Sequence, residues 1–185
     1  MMTIDTLIAT RLLALRQAQG LSLASLATRS GVSKAMISKV ERGDSSPSAS
    51  ILGRLAAALG VPLAQLLTED TAPPQRLRQR AMQDVWHEPQ GAYLRRQVAG
   101  RDPHNGVELV EVELAAAARV SYPRWSGAPY RQRLWLLSGR LGVEYGDQRY
   151  ALDAGDCLDF GVDLPTTFEA LAGHACRYLL VSSTT

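Results

Sequence analysis

The chain has 185 residues, of which 46% are hydrophobic, and its 20 Lys and Arg residues nearly balance its 18 Asp and Glu residues. This composition can bury the core of one domain or of two small domains. No apolar run approaches the ~20 residues that span a bilayer, and charged residues interrupt the N-terminal stretch, unlike a signal peptide. We therefore expect a soluble, cytoplasmic protein with no membrane partner.

The charge is unevenly distributed along the chain. Residues 1–67 contain seven Lys and Arg residues against three acidic residues, whereas the remainder contains thirteen against fifteen. A modestly basic first third favours a polyanionic partner, although an ordinary solvated surface can show the same imbalance.

The two cysteines, Cys157 and Cys176, lie in apolar surroundings without a neighbouring Cys or His at metal-ligand spacing. This pattern argues against a disulfide scaffold and a zinc knuckle. We expect two reduced, buried thiols. A redox switch is the alternative, if adjacent strands bring the thiols together.

Five helices are predicted in the first third of the chain. Apolar spacing and stop signals place them at residues 4–19, 22–28, 33–42, 49–59 and 62–67. The residues suited to cap or end these helices are Ser22, Ser33 and Ser48 at the starts and Gly20, Gly43 and Gly60 at the ends.

The sequence changes character after Leu67. Paired prolines and charges in TEDTAPPQRLRQR are typical of a linker, which we place at residues 68–84. Residues 85–185 are predicted to be all-β, because short β-rich runs follow one another: AYLRRQV, VELVEVEL, ARVSY, YRQRLWLL, RLGVEY, QRYAL, CLDF, TTFEAL and CRYLLV. Residues 145–148 (YGDQ) predict a hairpin turn, since Gly and Asp tolerate positive φ.

The stretch LASLATRSGVSKAMISKVER, residues 23–42, indicates a pair of steeply crossing helices. Ala27 is small where the helices would cross, and Gly31 lies in the turn. Ile37 and Val40 form one apolar face of the second helix. The opposite face is polar and cationic, which suits the major groove of DNA, where lysine can donate to guanine and a methyl group can meet thymine.

Residues 11–67 resemble the phage-repressor-like (Cro/XRE-type) helix-turn-helix DNA-binding domain, through GLSLASLATRSGVSKAMISKVERGDSSPS and LGRLAAALGVPLAQLL. The resemblance implies a recognition surface at residues 33–39, in which Lys34, Ala35 and Lys39 read bases. It also implies flanking or phosphate contacts from Ser22, Leu23, Ser33, Met36, Ser38, Arg42, Ser45 and Ser46. Leu23 departs from the polar residue often found there, which affects a side-chain hydrogen bond but not a backbone amide contact.

The same resemblance implies that an ion pair between Arg16 and Glu41 ties the first helix to the end of the recognition helix. Its role would be structural, and the alternative is that Arg16 contacts phosphate. For the domain as a whole, the alternative is a helical bundle whose cations face water or whose surface contacts another protein.

The segment RQRLWLLSGRLGVEYGDQRYALDAGDCLDFGVDLPTTFEA resembles the cupin family, with Gly139 as its turn glycine. Metal-binding cupins place two His and a Glu before that glycine and a further His in a second motif. Those positions are Trp125, Gly127, Gln132 and Thr166, or, with one fewer spacer, Ser126 and Ala128 for the first two. The resemblance therefore implies a small β-barrel with no metal, no cofactor and no catalytic residues.

A barrel of this kind can hold a small molecule or be filled by its own side chains. Alternation along the strand predicts that Arg131 and Arg133 point outward. The inward residues that could line an effector pocket are Trp125, Gln132, Leu134, Tyr145, Thr166 and Phe168.

The leading hypothesis is a sequence-specific, homodimeric transcription regulator, a repressor whose metal-free barrel senses a small molecule. It predicts a palindromic double-stranded DNA operator. Two alternatives stay open: a metal-dependent cupin enzyme tethered to a DNA-binding domain, and a barrel that only pairs subunits. We expect no enzymatic activity.

Overall fold

The computed structural model describes residues 4–67, 76–102, 106–125, 130–171 and 173–184. Helices come first and strands follow, as the sequence predicts. The helices are α1 (Ile4–Ala18), α2 (Leu23–Ser30), α3 (Lys34–Glu41), α4 (Ala49–Leu59) and α5 (Ala64–Leu67). No helix in these ranges is both long enough and apolar enough to cross a membrane.

Side-chain caps explain where α2, α3 and α4 begin. The hydroxyl groups of Ser22, Ser33 and Ser48 each accept a hydrogen bond from the backbone amide three residues later. Such a cap satisfies one of the amide groups that the first helical turn leaves unpaired. Helix α2 continues two residues beyond the predicted end and stops at Gly31, whose φ of 63° suits a residue without a side chain.

The helical core follows the predicted periodicity. Ile8 and Leu12 of α1 are fully buried four residues apart, and Leu52 and Leu55 of α4 repeat the pattern at three. These side chains bury one stripe of each helix against the others, which is how short helices become stable together.

The rest of the described chain contains ten strands and a single 3₁₀ turn at Arg80–Met82. The strands are β1 (Val85–His87), β2 (Tyr93–Ala99), β3 (Glu108–Leu114), β4 (Arg119–Tyr122), β5 (Tyr130–Ser138), β6 (Arg140–Tyr145), β7 (Gln148–Asp153), β8 (Cys157–Phe160), β9 (Thr166–Ala170) and β10 (Cys176–Thr184). The all-β prediction is confirmed, with the three-residue strand β1 missed. Its length is too short to show an alternating pattern.

The strands form two antiparallel sheets, ordered β1-β2-β3-β10-β5-β8 and β4-β9-β6-β7. Aromatic rings join the sheets across the core. Phe168 of the smaller sheet stacks on Tyr178 of the larger one at a centroid distance of 5.7 Å and meets Phe160 at 6.1 Å. The architecture agrees with the cupin-like domain predicted from the sequence.

The predicted hairpin turn is present between β6 and β7. Tyr145 pairs with Gln148, and Gly146 between them has a φ of 59°. Pairing of these two strands through residues 140–153 makes β7 the outer strand of the smaller sheet.

The expectation of two buried cysteines is wrong for Cys157. Cys176 is buried, and burial raises the pKa of its thiol to about 11. Cys157 is exposed because it lies on β8, the edge strand of the larger sheet, opposite Trp135. Strand β5 separates β8 from β10, so the two thiols do not lie on adjacent strands and form no disulfide.

Helix α4 is where the helical part meets the β part. The backbone amide of Ala49 donates to Glu88 Oε1 at 3.0 Å in a buried position, and the Ser121 amide donates to Ser50 Oγ at 3.4 Å. Between these contacts, Gly53 faces the ring of Tyr122. A Cβ atom added at Gly53 would lie 2.3 Å from Tyr122 Cδ1.

We predict that Gly53→Ala destabilises the protein by ~1–2 kcal/mol, because the overpacking against Tyr122 outweighs the better helix propensity of alanine. Urea denaturation of the intact chain measures the change. The control is the same substitution in a Tyr122→Ala background, where the clash is gone and Gly53→Ala should stabilise by ~0.5–1 kcal/mol. The same sign in both backgrounds would contradict the contact.

Candidate nucleic-acid interface and cavity

The turn between α2 and α3 is held by a side chain from α4. Arg54 Nε donates to the Ser30 carbonyl oxygen at 2.9 Å, and Arg54 Nη2 donates to the carbonyl oxygen of Gly31. These bonds satisfy carbonyl groups that the end of α2 leaves unpaired. Sequence reasoning missed Arg54, and the only signal for it is a single cation in an otherwise apolar helix.

Helix α3 has one buried face and one exposed cationic face. Ile37 and Val40 are 0% and 1% exposed, whereas Lys34, Ala35 and Lys39 are exposed. Lys34 and Lys39 are also the only lysines among the 185 residues. The structure therefore brings the three predicted base readers onto one free surface.

The residues beside these predicted base readers are partly buried or already hydrogen-bonded. Met36 is half-buried against the helical core, with its sulfur 4.0 Å from Ser45 Oγ. Ser38 is half-buried, and its hydroxyl accepts a hydrogen bond from Arg42. Ser33 is exposed, but its hydroxyl already caps α3.

Arg42 follows the end of α3 and is paired at the surface. Its Nε donates to Asp44 Oδ2 at 2.7 Å, and the two side chains are 57% and 54% exposed. An exposed pair of this kind contributes ~0–1 kcal/mol, so the guanidinium can exchange the carboxylate for a phosphate. Ser45 and Ser46 lie just beyond in half-buried positions.

The start of α2 presents backbone groups. The Ser22 hydroxyl is occupied by the amide of Ser25 at 3.0 Å, and the Leu23 side chain packs half-buried against the core. What this end can offer a phosphate is its first-turn amides, which carry the positive end of the helix dipole.

Arg16 and Glu41 form a bidentate ion pair. Arg16 Nε donates to Glu41 Oε1 at 2.6 Å and Nη2 donates to Oε2 at 2.8 Å, with the side chains 13% and 7% exposed. The hydrogen bond to Glu41 raises the pKa of Arg16. Arg16 Nη1 also donates to the carbonyl oxygen of Leu21 at 2.8 Å. The guanidinium thus joins α1, the connection to α2 and the end of α3, and little of it is available to a phosphate.

A cavity of about 90 Å³ lies at the mouth of the β domain. Four predicted pocket residues line it: Trp125, Gln132, Thr166 and Phe168. Leu134 and Tyr145 do not. Leu134 is fully buried in the larger sheet, and Tyr145 packs on Phe160 while its hydroxyl donates to Asp163.

The helical part of the chain forms one side of this cavity. Gly53, Ala56 and Ala57 of α4 form part of its wall, with Pro62 and Leu63 beside them. The sequence carries no signal for this, because neither domain shows by itself which surface meets the other. The remaining polar wall, also unpredicted, consists of Tyr93, Arg95, Arg101, Glu108, Tyr122, Tyr130 and Ser182.

Some of the positions that correspond to cupin metal ligands lie in this cavity. Trp125, Gln132 and Thr166 line it, whereas Ser126, Gly127 and Ala128 lie outside the described residues. Among the residues that the structure describes, no three His, Cys, Asp or Glu side chains are grouped to hold a metal. His87 and His174 are exposed, and His104 lies outside the described ranges.

Arg131 and Arg133 point outward, as alternation predicts. Both are exposed and share Asp159 on the neighbouring strand, to which each donates through Nε at 2.9 Å. The two guanidinium groups, Arg133 first, lower the pKa of Asp159.

Comparison with known proteins places the helical part in a family. The helix-turn-helix family model HTH_3 matches residues 12–66. The HTH-type transcriptional regulator SutR of Escherichia coli (strain K12) is 30% identical over 158 residues, which cover 85% of this chain and 83% of that protein. The crystal structure of an HTH_3 family transcriptional regulator from Vibrio cholerae has a TM-score of 0.78 at 22% identity, covering 98% of this chain and 97% of that one.

Two further structures are similar to this chain at a lower TM-score of 0.48. One is the Cupin_2 domain of an XRE family transcriptional regulator from Enterobacter cloacae, at 14% identity over 51% of this chain and 98% of that one. The other is hydroxypropylphosphonic acid epoxidase from S. wedmorenis, at 18% identity over 98% of this chain and 99% of that one.

We predict that Arg16→Ala lowers the free energy of unfolding by ~3–5 kcal/mol, because it leaves the Glu41 carboxylate buried without its partner. Thermal and urea denaturation of the intact chain measure the loss. The matched control is Arg42→Ala, which breaks an exposed Arg–Asp pair and should cost less than about 1 kcal/mol. An unchanged melting temperature for Arg16→Ala would refute the structural role.

Proposed function

The chain belongs to the family of helix-turn-helix transcriptional regulators, and we propose that it reads a double-stranded DNA operator with the exposed face of α3. The observation that carries this proposal is the placement of Lys34, Ala35 and Lys39 on one free surface, opposite the buried Ile37 and Val40. Residues 1–67 form the DNA-binding domain in this proposal, 68–84 the linker and 85–185 the cupin-like domain.

Each contact follows from the chemistry of the groups on that surface. Lys34 and Lys39 donate to base edges, and the Ala35 methyl group meets thymine. Around them, the helix amides at Ser22 and Leu23 and the cation of Arg42 bind phosphates. The exposed Ser33 and the half-buried residues make the smaller contacts at the edge of the surface; the half-buried residues are Met36, Ser38, Ser45 and Ser46.

We further propose that two chains bind a palindromic operator as a homodimer held through residues 85–185. A single recognition helix reads too few base pairs for strong selectivity, and a two-fold protein matches half-sites ~34 Å apart. The alternative is that the cupin-like domain only pairs subunits, which gives no role to the cavity that α4 helps to line.

We also propose that the chain is a repressor whose affinity for the operator depends on a small molecule bound in that cavity. Its support is the cavity wall, because residues of both domains line one space. A ligand there contacts α4, and Arg54 of α4 holds the turn that precedes α3. A ligand that fits one arrangement of these parts better than another shifts their equilibrium.

A metal-dependent enzyme is the second candidate, and we propose that the chain is not one. The cavity positions that correspond to cupin metal ligands carry Trp125, Gln132 and Thr166, which are poor donors for a transition metal. Without such an ion, the means by which a metal enzyme activates water or oxygen is missing.

We predict that Lys34→Ala and Lys39→Ala each weaken operator binding by ~1–3 kcal/mol and relax the preference for one base step, because each removes a base contact. A DNA-selection screen supplies the operator, and fluorescence anisotropy gives the affinities. Acetylation of the two lysines, read by mass spectrometry, should fall when the operator is present. Unchanged affinity and specificity in the double variant would refute this docking.

The control for that experiment is Arg42→Ala. If Arg42 binds phosphate, its loss weakens binding to all DNA sequences nearly equally. It also lowers the slope of log affinity against log salt concentration by about one unit. A change in base preference would instead place Arg42 in a groove.

We predict that native mass spectrometry of protein purified without an affinity tag gives the mass of two chains with no transition metal. A monomer at micromolar concentration would contradict the homodimer. A near-stoichiometric metal that survives dialysis would favour the enzyme instead.

A further inference from the structure

We propose that the cavity binds a small organic anion with a single carboxylate group, held at the side formed by Arg95 and Arg101. This inference rests on the proposed effector site and names its ligand class. It follows from the charge of the wall, the donors left free there and the size of the space.

The charge of the described cavity wall is positive by one unit. Its ionisable residues that carry charge at neutral pH are Arg95, Arg101 and Glu108. Arg95 Nη2 donates to Glu108 Oε1 at 2.8 Å, and the side chains are 8% and 4% exposed, so this pair is buried and neutral overall. Arg101 is half-buried and has no ion-pair partner among the described residues.

A half-buried guanidinium that has no counter-charge among the described residues selects its ligand by charge. Partial burial removes water that would otherwise stabilise the charge of Arg101. A carboxylate bound beside Arg101 replaces that stabilisation. An ammonium group instead adds a like charge to the wall and finds Glu108 already paired. The aromatic rings alone would suit a cation, but the net charge decides against one.

Hydrogen-bond donors are available beside this charge. Arg95 lines this cavity and a smaller one beside Trp86 and Gln97, and its Nε is buried without a partner among the described residues, although a guanidinium has five N–H donors. Burial raises the pKa of Tyr130 to about 12, so its hydroxyl stays protonated and can donate. A neutral amide could accept these bonds as well, but bonds to a carboxylate are about twice as strong.

The size and the apolar wall limit the rest of the ligand. One buried water needs about 10–15 Å³ on this measure, so about 90 Å³ holds six to nine water-sized positions. Phe168, Leu180, Ala56 and Ala57 form the apolar surface. A compact hydrocarbon part between isobutyrate and benzoate in size fits these limits.

Calorimetric titration of the intact chain, in buffer free of carboxylates, tests the ligand class. The probes are two matched sets: isobutyrate, isobutyramide and isobutylamine, and benzoate, benzamide and benzylamine. We expect at least one carboxylate to bind about tenfold more tightly than its amide, and neither amine to bind measurably. Carboxylates that bind no more tightly than their amides, or that do not bind at all, would overturn the inference.

The variants locate the binding. Arg101→Gln should lower the affinity for the carboxylate about tenfold and leave the amide unchanged. Arg149→Gln, at an exposed position outside the cavity wall, should change neither. Equal losses in both variants would mean that the anion binds elsewhere.

Operator affinity, measured on the same preparation, keeps the two proposals apart. Operator binding that persists without any preference for carboxylates refutes the ligand class alone. Loss of sequence-specific DNA binding refutes the proposed function. A carboxylate that binds through Arg101 but leaves operator affinity unchanged supports the ligand class and refutes its regulatory use.

Discussion

The arrangement of the helical domain depends on one buried ion pair. Arg16 and Glu41 are 25 positions apart in sequence, and their bidentate bond fixes α1 against the last turn of α3. The third bond of Arg16, to the Leu21 carbonyl oxygen, fixes the connection to α2 at the same point. Desolvation makes such a pair costly to form but also costly to break. It therefore supports one orientation of α3 more than it adds to total stability.

Helix α4 links that orientation to the β domain. Arg54 bonds the turn before α3, Gly53 receives the ring of Tyr122, and Ala56 helps to close the cavity. One face of the helix, with Gly53 and Ala56 three residues apart, thus lines the cavity, while Arg54 reaches the turn before α3. A helix behaves as a nearly rigid body over this length, so under the proposed regulation α4 is the element through which a displacement at the cavity would reach the turn.

Local signals account for what the sequence predicts well. Ser22 as a helix cap and Gly146 in a hairpin act through neighbouring backbone groups, and residues close in sequence determine both. Tertiary placement is different. Cys157 is exposed because its strand lies at a sheet edge, and Leu134 is fully buried in the larger sheet without lining the cavity. Neither the strand order nor the approach of α4 is encoded in a window of ten residues.

The free surface of α3 has a consequence for how this regulator can evolve. Lys34, Ala35 and Lys39 take no part in the helical core or in the Arg16–Glu41 pair. Most mutations that damage a protein do so through its stability, which leaves little margin for change at buried positions. These three positions are outside that limit. If these positions read the operator as proposed, single substitutions can change its preferred sequence and leave the scaffold intact, so that a duplicated copy could diverge toward different genes while both copies remain folded.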